Sequence, residues 1–324
     1  MEAYTDFAGV YDIFMDGTPY GEWADFLAET IEKYGVSKPV RGAAESEAPD
    51  AGEGESRGAE SEAPDAGEGE GGGTESEAPG AGEREGRGAE SEAPDAGEGE
   101  DAWRETLLDS ERNLVLDLGC GTGTLTELLY RKGFDMIGVD NSEEMLGVAL
   151  EKKENSGSEI LYLCQDMREL DLYSTVGTVV CVCDSVNYLL EDGDVEDAFA
   201  LVNNYLYPGG LFIFDFNTVY KYEQVIGDAV IAENRDECSF IWENYYHDGE
   251  RLNEYDLTIF VREDGELFRR FTETHFQRGY TLEEMKSFVE KAGMEPVLFL
   301  DADTRKAPTE KSERIYVVAK ECQK

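Results

Sequence analysis

The hydrophobic pattern from residue 113 to residue 216 alternates between short apolar runs and longer amphipathic segments. The apolar runs are rich in Val, Ile, Leu and Phe, which is typical of strands that are buried on both faces. The segments between them repeat their apolar residues at helical spacing. The strand sequences are NLVLDLG, DMIGVD, EILYLCQD, TVVCVCD and LFIFDF. This alternation predicts a parallel sheet that is covered by helices.

The pattern changes between residues 238 and 277, where β-type runs follow one another without helical spacing. These runs are broken by Asp-Gly at residues 248–249 and 264–265. Asp-Gly between two such runs is a strong signal for a hairpin. We therefore expect three antiparallel strands, inserted after the fifth parallel strand.

The chain ends with one more helix and two strands in this interpretation. Ser142 is the predicted N-cap of an earlier helix, and Thr281 with Glu284 forms a capping box that opens a helix to about Ala292. PVLFL and RIYVVAK then form an antiparallel pair at the sheet edge. The predicted fold class is α/β, with a seven-stranded sheet that is parallel except for this C-terminal edge hairpin, plus a small antiparallel β insert.

An acidic repeat interrupts the chain before the first strand. ESEAP recurs at residues 45, 60, 75 and 90, a period of 15 residues, and residues 41–100 contain no aromatic, Val, Ile, Leu, Met or Cys. A repeat without an apolar face cannot stack into a solenoid or offset the entropy of ordering the chain. We expect residues 41–100 to be an acidic, low-complexity, disordered segment.

Charge and cysteine content narrow the function classes. The formal net charge is −45, and residues 41–100 contribute −15 of it through 19 acidic residues and four arginines. The remaining −30 would repel a phosphate backbone, so nucleic acid is not expected as the main partner. The sequence has no apolar run of membrane-spanning length and no signal-peptide pattern, and its six cysteines lack C-x-x-C spacing. We expect a cytoplasmic protein with free thiols and no membrane partner.

The candidate chemistry begins where the first strand ends, in LVLDLGCGTGTL at residues 114–125. A dinucleotide-binding loop has the spacing G-x-G-x-x-G, whereas Gly119, Gly121 and Gly123 are spaced G-x-G-x-G. Asp117 adds a carboxylate at the end of the strand, which disfavours a pyrophosphate and suits a ligand with a cationic group. The loop therefore argues against an NAD-dependent oxidoreductase.

Two more carboxylates end the next two strands. Asp140 in GVDNSEEML can accept hydrogen bonds from ribose hydroxyls, although NAD sites use the same contact. Asp166 in CQDMREL can accept a hydrogen bond from an exocyclic amine, which selects adenine. Three acids at three successive strand ends indicate a ligand that carries an amine, a ribose and an adenine but no phosphate.

This ligand is S-adenosylmethionine, and the sequence resembles the class I S-adenosylmethionine-dependent methyltransferases, which have a Rossmann-like sheet. VLDLGCGTG (115–123) is similar to their first motif, GVDNSEEML (138–146) to their ribose-binding loop and QDMREL (165–170) to their adenine-contacting motif. YTDFAGVYDIFM (4–15) and CDSVNYLL (183–190) resemble bacterial small-molecule methyltransferases with an N-terminal cover helix. The antiparallel insert resembles the lids of amino-sugar N-methyltransferases. The resemblance covers residues 1–40 and about 103–320.

The resemblance implies which residues bind the cofactor. Asp117 and the glycine loop would hold the methionine end, Asp140 the ribose and Asp166 the adenine amine. Tyr11, on the cover helix, would contact the methionine carboxylate. The implied set is Tyr11, Asp117, Gly119, Cys120, Gly121, Asp140, Asn141, Met145, Asp166, Met167 and Asp184. No metal site is expected.

Methyl transfer depends on alignment of the reactants, and a base is needed only where the nucleophile must lose a proton. Asp184, Asn187 and Tyr188 form a polar cluster just past a buried strand, which either lines the active site or caps the following helix. His275, in the last inserted strand, is either a catalytic base or a half-buried structural residue. These four residues are the catalytic candidates.

Other residues near the insert leave their role open. Asp215 and Asn217 end the fifth strand, where doubly wound sheets bind ligands, but they could instead stabilise a turn. Aromatic residues of the insert could either form a pocket for a cation or a sugar, or seat the insert on the sheet: Trp242, Tyr245, Tyr246 and Tyr255.

The predicted segments are N-terminal cofactor-covering helices (1–40), the acidic repeat (41–100), a cofactor-binding Rossmann-like core (103–220), an antiparallel β lid insert (221–280) and a C-terminal helix with strands that complete the core (281–324). The predicted function is methyl transfer from S-adenosylmethionine to an N or O nucleophile of a small metabolite. A methyltransferase for RNA or protein, and a non-catalytic cofactor-binding protein, are the alternatives. The sequence leaves the oligomeric state open.

Overall fold

The computed structural model describes residues 7–42, 106–263 and 265–324, and all five predicted parallel strands are present in it. They are β1 (Leu114–Leu118), β2 (Asp135–Asp140), β3 (Leu161–Cys164), β4 (Val176–Cys181) and β5 (Leu206–Asn217). β1 pairs in parallel with β2 and β4, while β3 pairs with β2 and β5 with β4. Strand order therefore reverses beside β1, and in doubly wound sheets such a reversal forms a ligand crevice.

Two antiparallel strands complete this sheet at the edge beyond β5. They are β10 (Met294–Asp301) and β11 (Arg314–Glu321), and β11 pairs with both β5 and β10. The strand order is β10-β11-β5-β4-β1-β2-β3. This arrangement confirms the predicted fold class, including the C-terminal edge hairpin.

Helices cover both faces of the seven-stranded sheet. The helices are α1 (Ala8–Phe14), α2 (Tyr20–Tyr34), α3 (residues 106–113), α4 (Thr124–Arg131), α5 (Glu143–Ser156), α6 (Asp192–Tyr205) and α7 (Leu282–Lys291). The predicted caps are confirmed, since Ser142 caps α5 and Thr281 forms a complete capping box with Glu284 on α7. Helices α5 and α7 therefore begin at the residues that their capping side chains predict.

Alternate residues of the buried strands point into two apolar layers, one on each face of the sheet. One layer includes Leu116 and Phe212 together with Phe199 of α6, and the other includes Val115 together with Leu27 of α2. Because side chains alternate across a strand, a strand that is buried on both faces must be apolar at nearly every position. This explains the continuous apolar runs in the sequence.

The insert is a separate sheet of four strands, so the expectation of three strands is wrong by one. The strands are β6 (Val230–Asn234), β7 (Cys238–His247), β8 (Leu252–Arg262) and β9 (Phe268–Arg278), in the order in which they occur. β6 was missed because its short run VIAEN is mostly exposed and carries no period-2 pattern. Pairing with the edge of β7 makes it a strand. We call this four-stranded sheet the lid.

The N-terminal helix α1 packs on the inner face of the lid. Val10 joins an apolar cluster with Cys238, Leu257 and Ile259, and the ring of Phe14 meets Phe240 edge to face at 4.8 Å. Segments whose contacting residues Phe14 and Phe240 are 226 positions apart in the sequence are thus joined by a small apolar core of their own.

The N-terminal segment is held in place as far as Arg41, one residue past the predicted boundary. The Arg41 guanidinium pairs with the Asp135 carboxylate at 2.7 Å and lies 4.1 Å from the ring centre of Tyr130. The predicted acidic repeat otherwise lies outside the described residues. The described ranges belong to one compact unit, and no helix within them is both long and apolar enough to cross a membrane.

Candidate functional site

A cavity of about 370 Å³ opens at the carboxyl ends of β1 to β4. Its wall is made by the loops that follow these four strands, and α1 and α2 contribute Tyr11 and Tyr20. The cavity therefore lies at the crevice that the strand order creates beside β1. Ten of the eleven residues predicted to bind the cofactor line it, and the exception is Asp184.

The glycine loop after β1 forms the floor of this cavity. Gly119 and Gly121 have backbone φ angles of +78° and +54°, which residues other than glycine rarely adopt. A Cβ at Gly119 would lie 2.6 Å from the Ser185 hydroxyl, whereas a Cβ at Gly121 would meet no atom within 4 Å. The backbone at Gly121 therefore faces open space, where a ligand can approach it closely.

Asp117 is buried at the end of β1, with 2% of its surface exposed. Its carboxylate accepts a hydrogen bond of 2.6 Å from the Thr126 hydroxyl. Burial raises the pKa of Asp117 to about 7, and the charge of nearby Asp140 adds to this effect while Thr126 opposes it. A cationic ligand group beside Asp117 would favour its ionised form.

The Asp140 carboxylate is oriented by two backbone N–H groups, one from the glycine loop and one from its own loop. One carboxylate oxygen accepts from Gly121 N at 2.8 Å and the other from Ser142 N at 2.9 Å. Burial raises the pKa of Asp140, and these hydrogen bonds oppose that shift. Each oxygen can accept a further hydrogen bond, so the side chain is fixed while it keeps capacity for hydroxyl donors. Asn141 and Met145 line the wall beside it.

Asp166, after β3, has a partner that the sequence interpretation did not include. Arg168 binds both of its carboxylate oxygens, at 3.0 Å and 2.6 Å, and holds the pKa of Asp166 below its usual range. Arg168 also lines the cavity and lies 3.4 Å from Asp194. Asp166 is therefore ionised, and it shares its acceptor capacity with Arg168. The i, i+2 spacing in QDMREL could have suggested this pair.

The Cys183-Asp184 turn after β4 is strained and braced from the next strand. Both residues have positive φ angles, of 66° and 55°. The buried Asp215 carboxylate accepts hydrogen bonds from Cys183 N at 3.2 Å and from Asp184 N at 2.8 Å. The turn-stabilising alternative for Asp215 is thus the one that the geometry supports, since this carboxylate holds an unfavourable backbone conformation in place.

Asp184 links the main sheet to the lid. Its carboxylate accepts from Gln277 of β9 at 2.7 Å and forms an ion pair with Arg314 of β11. Arg314 also lies 3.7 Å from Asp215. The structure therefore places Asp184 in a charged network behind the strained turn. Nothing in the local sequence pattern pointed to Arg314 or Gln277.

Asn187 is fully buried and does not line the cavity. Its side-chain amide donates to the carbonyl oxygens of Asn217 and Arg278, at 2.9 Å and 2.7 Å, and its oxygen accepts from Asn217 N at 2.8 Å. These three bonds join β5 to the end of β9. This geometry favours a structural role for Asn187 over the predicted catalytic role, because its side-chain amide is hydrogen bonded to backbone groups.

Tyr188 lines the cavity, and a group of polar residues from the lid surrounds its hydroxyl. The Tyr188 oxygen lies 2.8 Å from the Tyr255 oxygen and 3.3 Å from His275 Nδ1. His275 is buried and does not line the cavity. Tyr188 and His275, predicted from separate parts of the sequence, are thus in contact. Glu273 and Tyr255 complete the group; the sequence interpretation gave Tyr255 a possible place in an aromatic pocket and gave Glu273 no role.

The aromatic residues of the lid divide between its two faces. Trp242 and Tyr255 are neighbours with ring centres 5.1 Å apart, and Tyr255 stacks on His275 at 4.8 Å. Tyr245 is 43% exposed. The predicted aromatic set is therefore not one pocket, because consecutive positions of a strand point to opposite faces.

The N-terminal helices close the cavity on another side. The Tyr11 hydroxyl lies 3.9 Å from the Cys183 sulfur. Tyr20, which the sequence interpretation did not single out, lines the same wall, and burial raises its pKa. Together with the three strand-end acids, the tyrosines leave the cavity rich in hydrogen-bond acceptors, with Arg168 as its one lining cation among the described residues. Such a site suits a ligand that carries a cation and several donors.

Comparison with known proteins supports this description. A family model described as "Methyltransferase domain" matches residues 115–210. A protein of Geobacillus sp. (strain WCH70), named for methyltransferase activity but not for a substrate, is 40% identical over 207 residues, which are 64% of this chain and 83% of that protein.

Solved structures are similar as well. A crystal structure of an S-adenosylmethionine-dependent methyltransferase from Clostridium acetobutylicum ATCC 824 aligns with a TM-score of 0.61 and 33% identity, over 71% of this chain and 93% of that one. The S-adenosylmethionine-bound structure of CalS10, an amino pentose methyltransferase from Micromonospora echinaspora, aligns with a TM-score of 0.51 and 21% identity, over 72% of this chain and 99% of that one. The second similarity shows the fold alone.

Proposed function

This chain belongs to the S-adenosylmethionine-dependent methyltransferases, and on that premise we propose that it methylates a nitrogen or oxygen atom of a small metabolite. The observation that carries the proposal is the cavity whose wall contains Asp117, Asp140 and Asp166, the acids that end three successive strands. Three carboxylates match a ligand with an ammonium group, ribose hydroxyls and an adenine amine. They would repel a dinucleotide phosphate.

The residues of the cavity fit S-adenosylmethionine. Open space beside Gly121 leaves room for close approach to the backbone, and buried Asp117 offers a counter-charge to an ammonium group. We propose that Asp140 receives the ribose hydroxyls and that Asp166 with Met167 receives the adenine. Tyr11 and Tyr20 would cover the methionine end. When bound, this cofactor supplies an electrophilic methyl group on a sulfonium and leaves as a neutral thioether.

The protein's own contribution is alignment and exclusion of water. The Cys183-Asp184 turn stays in its strained conformation because Asp215 binds both of its amides. We propose that this fixed turn sets the floor against which the acceptor is aligned. The contact of α1 with the lid would keep bulk water from the reacting atoms.

A small acceptor fits the charge and the size of the site. The net charge of −45 opposes binding of a nucleic acid backbone, and a cavity of about 370 Å³ that also holds the cofactor leaves little room for the acceptor. CalS10, which shares the fold over 99% of its length, is described as acting on an amino pentose. An amine is therefore the first acceptor class to test.

The test is calorimetric titration of the full chain with S-adenosylmethionine, S-adenosylhomocysteine and NADH. We expect micromolar binding of the first two and none of NADH. The protein is then incubated with S-adenosylmethionine and a panel of primary amines, amino sugars and hydroxyl metabolites, and release of S-adenosylhomocysteine is measured. Asp140→Ala is the control for methylation by a contaminant, because it should weaken cofactor binding and lower turnover at limiting cofactor, whereas a contaminant's turnover would not change.

Two outcomes would contradict the proposal. Binding of NADH alone would mean that the glycine loop holds a phosphate after all. Turnover on tRNA or a protein, with none on the metabolite panel, would replace the small acceptor with a macromolecule. If the macromolecule is tRNA, its complex with this protein should weaken steeply with salt, as phosphate contacts do.

A further inference from the structure

An amine acceptor is an ammonium at neutral pH and must lose a proton before its nitrogen can attack, and a hydroxyl acceptor must lose its proton as its oxygen gains the methyl group. We propose that Glu273, His275 and Tyr188 form a relay that takes up this proton. The acceptor is then an amine or a hydroxyl compound, as opposed to a nucleophile that is already deprotonated at neutral pH. This inference rests on the proposed function.

The relay begins at the cavity wall. Tyr188 lines the cavity, and its oxygen lies 3.3 Å from Nδ1 of His275. The His275 side chain is 1% exposed and the Glu273 side chain 5%, and neither lines the cavity. Among the described residues, Tyr188 is therefore the member of this group through which an acceptor inside the cavity can reach His275.

The hydrogen bonds around His275 define a direction for the proton. Its Nε2 lies 3.2 Å from a carboxylate oxygen of Glu273, and the other Glu273 oxygen accepts from the backbone N–H of Phe7 at 2.9 Å. A carboxylate only accepts, so Nε2 must donate to it. With a single proton on the ring, at Nε2, Nδ1 is the acceptor and the Tyr188 hydroxyl donates to it.

The neighbouring residues hold the imidazole in this orientation. Tyr255 stacks on the His275 ring with centres 4.8 Å apart and planes 7° from parallel, and its oxygen lies 2.8 Å from that of Tyr188. Glu273 and His275 are two residues apart on β9, so their side chains share the inner face of the lid. The group is thus assembled in advance, with a carboxylate placed where a positive charge would form.

The proton balance is as follows. An ammonium N–H bond or an O–H bond of the acceptor breaks, and that proton moves to the Tyr188 oxygen. The freed lone pair forms the bond to the methyl carbon while the carbon–sulfur bond to the leaving thioether breaks. The original Tyr188 proton moves to Nδ1 of His275, which becomes an imidazolium beside the Glu273 carboxylate. After the product leaves, His275 returns the proton through Tyr188 to water. In this scheme Tyr188 is the catalytic residue, and Glu273 and His275 act through it.

The sequence makes a direct test possible because it contains only two histidines. Long-range ¹H–¹⁵N correlation spectra of the full chain at neutral pH will show two imidazole patterns, and His247→Gln removes one of them. His247 lies on an exposed strand position and bonds to Glu254, so its loss should leave the relay intact. We expect His275 to be a single tautomer that is protonated at Nε2.

Two conservative variants decide whether the ring takes part in a relay. Tyr188→Phe should move the Nδ1 resonance of His275 towards that of a nitrogen without a hydrogen bond and leave Nε2 protonated. Glu273→Gln should replace the single tautomer with a mixture. A His275 ring protonated at Nδ1 in the parent protein, or an unchanged Nδ1 resonance in Tyr188→Phe, would overturn the proposal without any assay of activity.

Kinetics with an acceptor from the amine and hydroxyl panel give the second readout. His275→Gln and Tyr188→Phe should lower kcat by about 100- to 10,000-fold, the range for loss of general base catalysis. Affinity for S-adenosylmethionine should stay at the parent value in both variants, as it should in His247→Gln. Parent-level kcat in His275→Gln would overturn the relay. If a buried variant does not fold, the partly exposed Tyr188→Phe carries the test.

The relay and the proposed function fail in different ways. Absence of cofactor binding by the parent protein would end the proposed function. Cofactor binding and methylation of an amine or alcohol, together with an Nδ1-protonated His275, would leave the function standing and remove only the relay.

Discussion

The two sheets of this protein position their polar residues in different ways. In the seven-stranded sheet, Asp140 accepts hydrogen bonds from residues 19 and 2 positions away, and the partner of Asp166 is 2 positions away. In the lid, Glu273 accepts from a residue 266 positions away, and Gln277 donates to one 93 positions away.

On the proposed function, this difference separates cofactor binding from the chemistry of the acceptor. The acids that we propose face the cofactor are oriented by residues at most 19 positions away, in their own or a neighbouring loop or helix. The groups that we propose face the acceptor are oriented by contacts between the lid, the N-terminal segment and the loop after β4. Substitutions in the lid can therefore change which acceptor is used without disturbing the cofactor site. This agrees with the general rule that function depends on sites carried by a fold.

The largest expected effect on stability comes from Arg314, which pairs with Asp184 at the point where the main sheet meets the lid. Arg314→Met would leave fully buried Asp215 and its neighbour Asp184 without their cation. Burial already raises the pKa of Asp215, and removal of Arg314 would make its charge still more costly. We expect the free energy of unfolding, measured with urea, to fall by about 3–5 kcal/mol.

The matched control for that experiment is Lys286→Met. Lys286 forms an exposed pair with Glu290 at 3.9 Å on α7, which should contribute no more than about 0.5 kcal/mol. Equal losses in the two variants would mean that the network behind the strained turn contributes no more than a surface pair.

Asp140→Ala and Asp166→Ala test how much each of these two carboxylates contributes to the affinity for S-adenosylmethionine. Asp140→Ala should weaken S-adenosylmethionine binding by about 1–3 kcal/mol, because ribose hydroxyls would lose their acceptor in a buried place. Asp166→Ala should cost less, since this more exposed carboxylate also binds Arg168. Calorimetry gives both values, and an unchanged affinity in Asp140→Ala would refute the ribose assignment.

The pH dependence of cofactor binding tests Asp117. Its pKa of about 7 means that the carboxyl is protonated below pH 7, and an ammonium group favours the ionised form. Affinity should therefore fall by up to about tenfold for each pH unit below 7, and binding there should release a proton. Calorimetry in two buffers with different ionisation enthalpies measures this proton, and Asp117→Asn should abolish its release.

The same pKa sets the sign of a stability effect in the protein without cofactor. The folded-state pKa of Asp117 is raised, so the stability from its protonated form is complete below about pH 4, near the pKa of an unfolded Asp. That contribution is lost as the pH rises through 7. Asp117→Asn should therefore be more stable relative to the parent protein above pH 7 than at acidic pH, and urea unfolding at both pH values would reveal the opposite trend if the assignment is wrong.

The smallest effect is expected where the lid meets α1. Arg235, between β6 and β7, bonds to the Asp16 carboxylate and to the carbonyl oxygen of Ile13. We expect Arg235→Met to increase the dissociation rate of S-adenosylmethionine a few-fold, because the cover helix loses a tether while its apolar contacts remain. Stopped-flow measurements would show this, and an unchanged rate would mean that the apolar cluster around Val10 holds the cover alone.

The outcome for the lid shows where sequence patterns stop being informative. Its hairpin turn at residues 248–249 and the strands on both sides are where the pattern predicts them, because turn chemistry is local. The strand β6 was missed because only its pairing with β7 defines it. Asn187 was predicted to be catalytic because its neighbours in sequence are polar, and its actual partners lie 30 and 91 positions away.

The sequence by itself determined the parallel sheet, the succession of strands and helices along the chain, and the three strand-end acids with the glycine loop that we propose face the cofactor. Each of these depends on residues within one strand, one loop or one helix turn, so their period and spacing are visible in the chain. Only the tertiary structure decided that Asp215 braces the Cys183-Asp184 turn and that Tyr188, His275 and Glu273 meet. The physical reason is that these contacts join strand ends and loops that lie 31 to 87 positions apart in the sequence, and a local sequence pattern carries no information about such pairings.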